Sequence, residues 1–354
     1  MGIIMRREIR NYFKNPCFWA GLVIVICGMY QMLHPYLEIR FLTSEKEMSG
    51  ISKNEGDDDI TNGYVPTEES KRREIWEQIL SETFISAFGM SEAESQAVIQ
   101  EISDMDITEA CDYLEETYSY FDAANVYRYD TCSHPGTMEE MNAYLEDRLR
   151  DKSFSWYFSR KFADFAGLFM AFFAVLLLAL LFYQDTRKRT YELLHTKPVS
   201  AAAYVCGKAA GGYAVLMTAL AVLNVVYYAL CLFETRGSGF EVRLRDFLGA
   251  SGMYIMPNML MIVCVYTFTS LLFRNPLPAV PVLFLYIVYS NMGSRNAEGF
   301  YGYYGRPLAI MVRFPGQFFE TAPPPLALWN QCFLLMASGV ILFLSVQLWK
   351  KRRI

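Results

Sequence analysis

Residues 165–183 read Phe-Ala-Gly-Leu-Phe-Met-Ala-Phe-Phe-Ala-Val-Leu-Leu-Leu-Ala-Leu-Leu-Phe-Tyr, without one charged side chain. At about 1.5 Å of rise per residue, a helix of this length approaches the roughly 30 Å hydrocarbon core of a bilayer. A helix satisfies its own backbone N–H and C=O groups, which hydrocarbon cannot do. Working outward from this run, further apolar stretches lie at roughly 17–34, 205–233, 247–273, 277–292 and 326–349, with Lys208 near the start of the second as the one Lys, Arg, Asp or Glu among them. The expected fold is therefore all-α and polytopic, with six transmembrane helices.

Toward the N-terminus the sequence changes character. The chain is 53% hydrophobic and 16% aromatic over 354 residues, yet its mean hydropathy is only +0.16. Residues 38–159 explain the difference: they hold 28 of the 37 Asp and Glu but 10 of the 32 Lys and Arg, a formal charge of −18 against +13 for the rest. The net −5 thus says little about partners, and the asymmetry says more. Three parts are expected: 1–37, an inner amphipathic helix and the first span; 38–159, an acidic, mainly helical extracytoplasmic domain between the first and second spans; and 160–354, five further spans with a cytoplasmic loop 184–204 and an outer loop 293–325.

Within 38–159, residues 38–66 are polar, include Asn54-Glu55-Gly56-Asp57-Asp58-Asp59, and read as a mobile linker. Beyond them, Ser91 with Glu94, Asp106 with Glu109 and Thr137 with Glu140 have capping-box spacing and precede apolar residues three and four apart. Ile99 and Ile102, Ala110 and Leu114, and Met141 and Leu145 are expected to face a small core. A disulfide between Cys111 and Cys132 is allowed, since only these two of eight cysteines fall in this part. Asp130, Cys132 and His134 alternate as metal ligands can, but Pro135-Gly136 reads as a turn and no second ligand pair follows. Asp57, Asp59, Thr61 and Glu68 have calcium-loop spacing, but Asn62 stands where Gly is needed and Pro66 interrupts, so no metal site is expected.

Orientation follows from the basic residues. Arg6, Arg7, Arg10, Lys14, Arg187, Lys188, Arg189, Lys197, Lys208, Arg274, Lys350, Lys351, Arg352 and Arg353 cluster in the segments expected inside, against Glu8, Asp185 and Glu192. Both termini are thus expected in the cytoplasm of a plasma-membrane protein. The opening residues place Ile and Phe at helical spacing with Arg between them, a helix lying on the inner surface through Arg6, Arg7, Arg10, Phe13 and Lys14. Asn15 and Pro16 then start the first span, a device repeated at Asn275-Pro276 before the fifth. The first span is too long for a cleavable signal, and Met29-Tyr30-Gln31-Met32 offers no small-residue cleavage site.

The loop after the quoted run is the richest short segment: Gln184-Asp185-Thr186-Arg187-Lys188-Arg189-Thr190-Tyr191-Glu192-Leu193-Leu194-His195-Thr196-Lys197-Pro198-Val199-Ser200, then Tyr204, Gly207 and Lys208. A short amphipathic helix over Thr190–His195, ending before Pro198, is expected. In this loop the sequence resembles the permease subunits of type-2 ABC exporters, at Asp185, Thr190, Leu193, Leu194, Pro198, Val199, Ser200, Gly207 and Lys208. It departs where Arg189 stands in place of a Gly before the Thr. The resemblance implies a coupling helix that docks on a separate ABC ATPase through Asp185, Arg187, Lys188, Thr190, Glu192, Leu193, Leu194 and Pro198. It also implies pairing of two permeases, as a homodimer or with a paralogue.

What is missing agrees. No Gly-rich loop ends in Gly-Lys-Ser or Gly-Lys-Thr, so this chain is expected to hold no cofactor, with ATP and magnesium on the partner. No carboxylate sits mid-span, which disfavours ion coupling. No catalytic motif occurs, and the three His are scattered. The partners expected are thus the ATPase, the second permease and the lipid bilayer, with no nucleic acid. A second function stays open, a membrane sensor or scaffold whose outer domain binds a ligand. Gly207, Gly211 and Ala203 form a small-residue stripe suited to close helix packing, and Pro257-Asn258 marks a kink or hinge in the fourth span. Pro307 to Phe314 is apolar but too short to span, as a re-entrant piece would be.

Overall fold

The computed structural model describes residues 1–49, 51, 58–187, 199–295, 301–302 and 305–351. It divides into two compact units, Met1–Arg40 with Arg148–Ile354, and the inserted Phe41–Asp147. The chain opens with α1 (Gly2–Phe13) and α2 (Pro16–Leu37). Their elbow is built as the residue types require: Asn15 Oδ1 accepts from Cys17 N at 3.0 Å, and Pro16 occupies the first helical turn, where a missing N–H costs nothing.

The inserted unit contains α3 (Glu45–Ser49), β1 (Tyr64–Pro66), α4 (Glu69–Ser86), α5 (Glu92–Ile102), α6 (Ile107–Tyr118), the single turn α7 (Ala123–Asn125), β2 (Ser133–Pro135) and most of α8 (Met138–Asp151). Ser91 and Glu94 form a reciprocal capping box on α5. Thr137 and Glu140 do the same at α8, with bonds of 2.9 and 3.3 Å. The core is Trp76, Leu80 and Phe84 of α4 against Val98 and Ile102 of α5, Ala110 and Leu114 of α6, and Ala123 and Val126. Met141 and Leu145 are buried as expected, while the centre of this core, Trp76, came from a helix that the capping pattern does not announce. Its indole donates to Ala123 O at 2.9 Å, so the polar edge of the ring is satisfied inside an apolar cluster.

Two expectations for the acidic segment are corrected. Residues 58–66 are ordered: Asp59 Oδ1 accepts from Ile60 N at 2.7 Å to start a tight turn, and β1 pairs antiparallel with β2 in the register Tyr64 with Pro135. The stretch around His134, expected as a solvated turn, is therefore a strand, and His134 Nδ1 lies 3.0 Å from Thr67 Oγ1. A strand partner so distant in sequence leaves no local periodicity to read. Cys111 and Cys132, whose bridging the sequence leaves open, are both free in this structure. Cys132 Sγ instead donates to Arg128 O at 2.9 Å, and Cys111 packs on the helical core.

The caps give this unit an acid-sensitive component. Hydrogen bonds from Ser91 hold the Glu94 carboxyl below its ordinary 4.5, and the backbone N–H of Thr137 leads the causes that lower Glu140. A depressed folded pKa adds stability that is complete above the unfolded value and lost as pH falls through the folded one. The thermal transition of the inserted unit is therefore expected to hold steady down to about 4.5 and then fall, less steeply in Glu94→Gln/Glu140→Gln. An identical acid limb in that variant would show that the caps do not contribute.

The larger unit resumes with α9 (Phe154–Arg187), α10 (Ala201–Glu234), α11 (Leu244–Tyr254), α12 (Met256–Phe273), α13 (Ala279–Asn291) and α14 (Ala327–Lys351). The units part at Asp147 and Arg148, earlier than residue 159, because Phe154 and Phe158 are buried in the bundle rather than in the inserted unit. Among the described residues, five helical segments are long and apolar enough to cross a membrane: α2, Phe154–Ala179 of α9, α10, α11 with α12, and α14. Helix α13 is apolar but has 13 residues, about 20 Å of rise. The break between α11 and α12 falls at Ile255, and Pro257 sits in the first turn of α12. Asn258 Nδ2 donates to Tyr254 O at 2.5 Å, so the side chain serves a carbonyl at the kink.

Candidate functional site

Helix α1 presents Ile4, Glu8 and Tyr12, four residues apart and so on one face, to the start of α10. Opposite them stand Gly207 and Gly211, also four apart. A Cβ at Gly207 would lie 3.2 Å from Ile4 Cβ and from Met1 O, and one at Gly211 would lie 2.8 Å from Glu8 Cβ. The small-residue stripe read from the sequence is thus a groove filled by α1. Within it Lys208 Nζ lies 3.4 Å from Glu8 Oε1, with the two residues only 3% and 7% exposed. An ion pair so far from water holds by geometry, since either charge alone would be costly there.

The same end of the bundle is closed by the last helix. Tyr204 stacks on Trp349 of α14 at 4.4 Å, and Ala201, Val205, Leu271 and Val346 complete a cluster that Ile4 and Val199 join. Ser200 Oγ caps α10 by accepting from Ala203 N at 3.2 Å. Tyr12 is buried against this end, and burial first, then the Glu8 carboxylate, push its phenol well above the ordinary 10.0. Arg6, Arg7, Arg10 and Lys14 are exposed on the other face of α1. Phe13 turns into the elbow, edge-on to Phe18 at 5.3 Å, and its carbonyl accepts from Trp19 Nε1 at 2.9 Å.

Of the coupling residues read from the sequence, Asp185 and Arg187 fall on the last turn of α9, which runs further than the expected start of the loop. Lys188, Thr190, Glu192, Leu193, Leu194 and Pro198 lie outside the described residues, as does the expected helix over Thr190–His195. What the structure supplies is the anchorage on both sides of them. The entry is the end of a 34-residue helix, and the exit at Val199, Ser200, Tyr204 and Lys208 is bolted to α1 and α14. Glu8 was read in the sequence as one of three acidic exceptions and Lys208 as part of a motif; nothing in the sequence paired them.

At the opposite end, residues 306–319 form a strap packed into the bundle, with Ile310, Phe314 and Phe318 fully buried. Seven of its backbone groups bond to side chains of the helices around it. Asp164 Oδ2 accepts from Phe314 N at 3.1 Å, Lys161 Nζ donates to Phe314 O at 3.1 Å and to Gly316 O, Ser290 Oγ accepts from Ile310 N at 3.0 Å, and Asn330 Nδ2 donates to Ala309 O at 2.7 Å. Tyr286 and Tyr289 donate to the carbonyls of Leu308 and Pro307. Arg313 pairs with Asp164, which is 4% exposed. The segment read as re-entrant is thus irregular backbone made tolerable by partners from α9, α13 and α14. A carboxylate inside an apolar helix needs such a partner, and that was the one available signal for Asp164. Among the described residues, no group of three or more His, Cys, Asp or Glu is placed to hold a metal ion.

A sequence model of the family described as "ABC-2 family transporter protein" matches residues 3–305. The chain belongs to the ABC-2 transporter family. No curated protein and no solved structure matches it. The family match runs from α1 through both sides of the α1–α10 groove and across the 184–204 segment, so the ion pair and the loop flanks belong to the ABC-2 permease region. The helices with the length and composition of spans make this permease a multi-pass membrane protein.

Proposed function

We propose that this chain is the membrane-spanning permease subunit of an ABC exporter, energised by a separate ATPase that docks on residues 184–204. The observation that carries the reading is the anchorage of that segment within an ABC-2 family chain. It leaves a continuous helix, α9, and returns into a helix locked to α1 by the Glu8–Lys208 pair and the glycine groove. A push on a segment held this way moves α9, α10 and α1 together, since packed interfaces shift as rigid bodies rather than deforming.

In this reading α1, the 184–204 segment and both termini lie in the cytoplasm, and α1 rests its Arg6, Arg7, Arg10 and Lys14 on the inner headgroups of the plasma membrane. The inserted unit lies on the far side. Helix α13, short for a crossing, is the sixth span, completed at depth by the strap whose backbone the neighbouring helices satisfy. ATP and magnesium sit on the ATPase, and two permeases, identical or paralogous, pair to form the path.

Leu193 and Leu194 supply packing to the ATPase, and Asp185, Arg187, Lys188 and Glu192 set charge complementarity. Reversing the two carboxylates in Asp185→Lys/Glu192→Lys is expected to abolish co-purification of the ATPase, while the permease itself stays folded and membrane-inserted. Association and transport at wild-type levels would show that force does not enter here.

A further inference from the structure

The C-terminal ends of α4 and α6 meet in the inserted unit and carry an aromatic face that the described residues leave partly exposed. Phe84 is buried beneath it. Phe88 lies edge-on to Phe84 at 5.4 Å, Tyr118 and Tyr120 each stand 5.8 Å from Phe84, and Phe88 meets Tyr120 at 5.8 Å. Phe88 is 42% exposed, and Phe121, beside Tyr120 in the chain, is 71% exposed; Ile85 adds to the same helix end. A clustered apolar face of this kind, unlike single scattered residues, marks a contact surface.

Charge says what covers it. The stretches that carry these rings, 82–92 and 115–122, contain Glu82, Glu92, Glu115, Glu116 and Asp122 and no Lys or Arg, so the surroundings of the face are acidic. Both helices also direct their C-terminal carbonyl ends toward it, and neither has a basic residue in its last turn. Those ends carry partial negative charge that no cation of their own helix offsets. Asp122 and Asp130 lie close enough to act on Tyr120, whose hydroxyl they raise above 10.0 after the larger effect of burial. The unit as a whole has 26 Asp and Glu against 6 Lys and Arg, a formal −20. An anionic lipid surface or fatty acid would meet repulsion here. Apolar side chains interleaved with cations meet what the face offers: rings to desolvate, ring faces for cations, carboxylates and carbonyl ends.

We propose that this aromatic face binds a cationic amphipathic peptide. The inference goes beyond the coupling reading and is independent of it, since binding at the inserted unit requires no ATPase.

The test uses the full-length protein in phosphatidylcholine nanodiscs and a fluorescent synthetic helical peptide of Leu and Lys, read by anisotropy. The same peptide with Glu for Lys is the charge control, and empty nanodiscs are the lipid control. The Lys peptide is expected to bind about tenfold or more tightly than the Glu peptide, and Phe88→Ser/Phe121→Ser is expected to weaken it by about tenfold or more. Asp122→Asn/Asp130→Asn should weaken it too and flatten its salt dependence, because exposed charges act through screened attraction. Both carboxylates are exposed, so this variant keeps the test decisive if the aromatic variant misfolds. Equal binding of the Glu peptide, equal binding to empty nanodiscs, or wild-type affinity in the carboxylate variant would each overturn the proposal.

Discussion

Glu8→Lys is expected to cost the permease about 3–5 kcal/mol, the usual penalty for leaving a buried charge without its partner. In this variant two ammonium groups face each other where a pair now sits at 3.4 Å, and no solvent reaches in to screen them. The glycine groove gives them no room to separate, since Gly207 and Gly211 already bring the backbones of α1 and α10 as close as side chains allow. The expected readout in detergent is a lower melting transition and protease cleavage around α1. The reciprocal Glu8→Lys/Lys208→Glu should recover most of the loss, because the pair is restored with its direction reversed. The apolar pair Glu8→Leu/Lys208→Met separates two roles of the contact. It should fold at least as well as the wild type, since a packed apolar pair escapes the desolvation cost. If α1 acts only as a clamp, this variant will also retain ATPase coupling. A single Glu8→Lys variant as stable as the wild type would mean that the two residues do not meet.

Removing the charge of Asp164 is the second large effect. Asp164→Asn keeps an oxygen for Phe314 N but leaves Arg313 and Lys161 without their carboxylate, again about 3–5 kcal/mol for a buried pair broken on one side. Here the penalty is local: it falls on the strap, whose hold on α9 runs through Asp164 and Lys161. The strap is expected to loosen while the helices stay packed. An Ile310→Cys reporter, fully buried in the native protein, should then react with a water-soluble maleimide over the background of the native cysteines. Asp164→Asn/Arg313→Gln, which removes both charges, should restore much of the protection. Equal labelling of Ile310→Cys with and without Asp164→Asn would show that the strap is held by its apolar residues alone.

The two pairs show where reading the sequence stops. Lys208 and Asp164 were both visible as charges near span ends. Each announces that a partner must exist, because a lone charge there is expensive. Neither announces which partner, since Glu8 and Arg313 look locally like ordinary surface charges. The inserted unit behaves in the same way. Ser91-Glu94 and Thr137-Glu140 were legible as caps, because a cap is an interaction over three residues. The pairing of β1 with β2 was not, and a segment that reads as polar linker turned out to hold a strand.

By itself the sequence determined the apolar spans, the elbow at Asn15-Pro16, the capped helices of the acidic unit and the segregation of charge between the two units. These depend on how a residue and its near neighbours partition between water, hydrocarbon and their own backbone, and that is fixed locally. Only the tertiary structure decided that α1 fills the Gly207–Gly211 groove, that Glu8 meets Lys208, that Arg313 meets Asp164, and that aromatic rings from two helix ends form one exposed face. Those contacts join residues distant along the chain, and their free energy arises only once folding has removed the water between them.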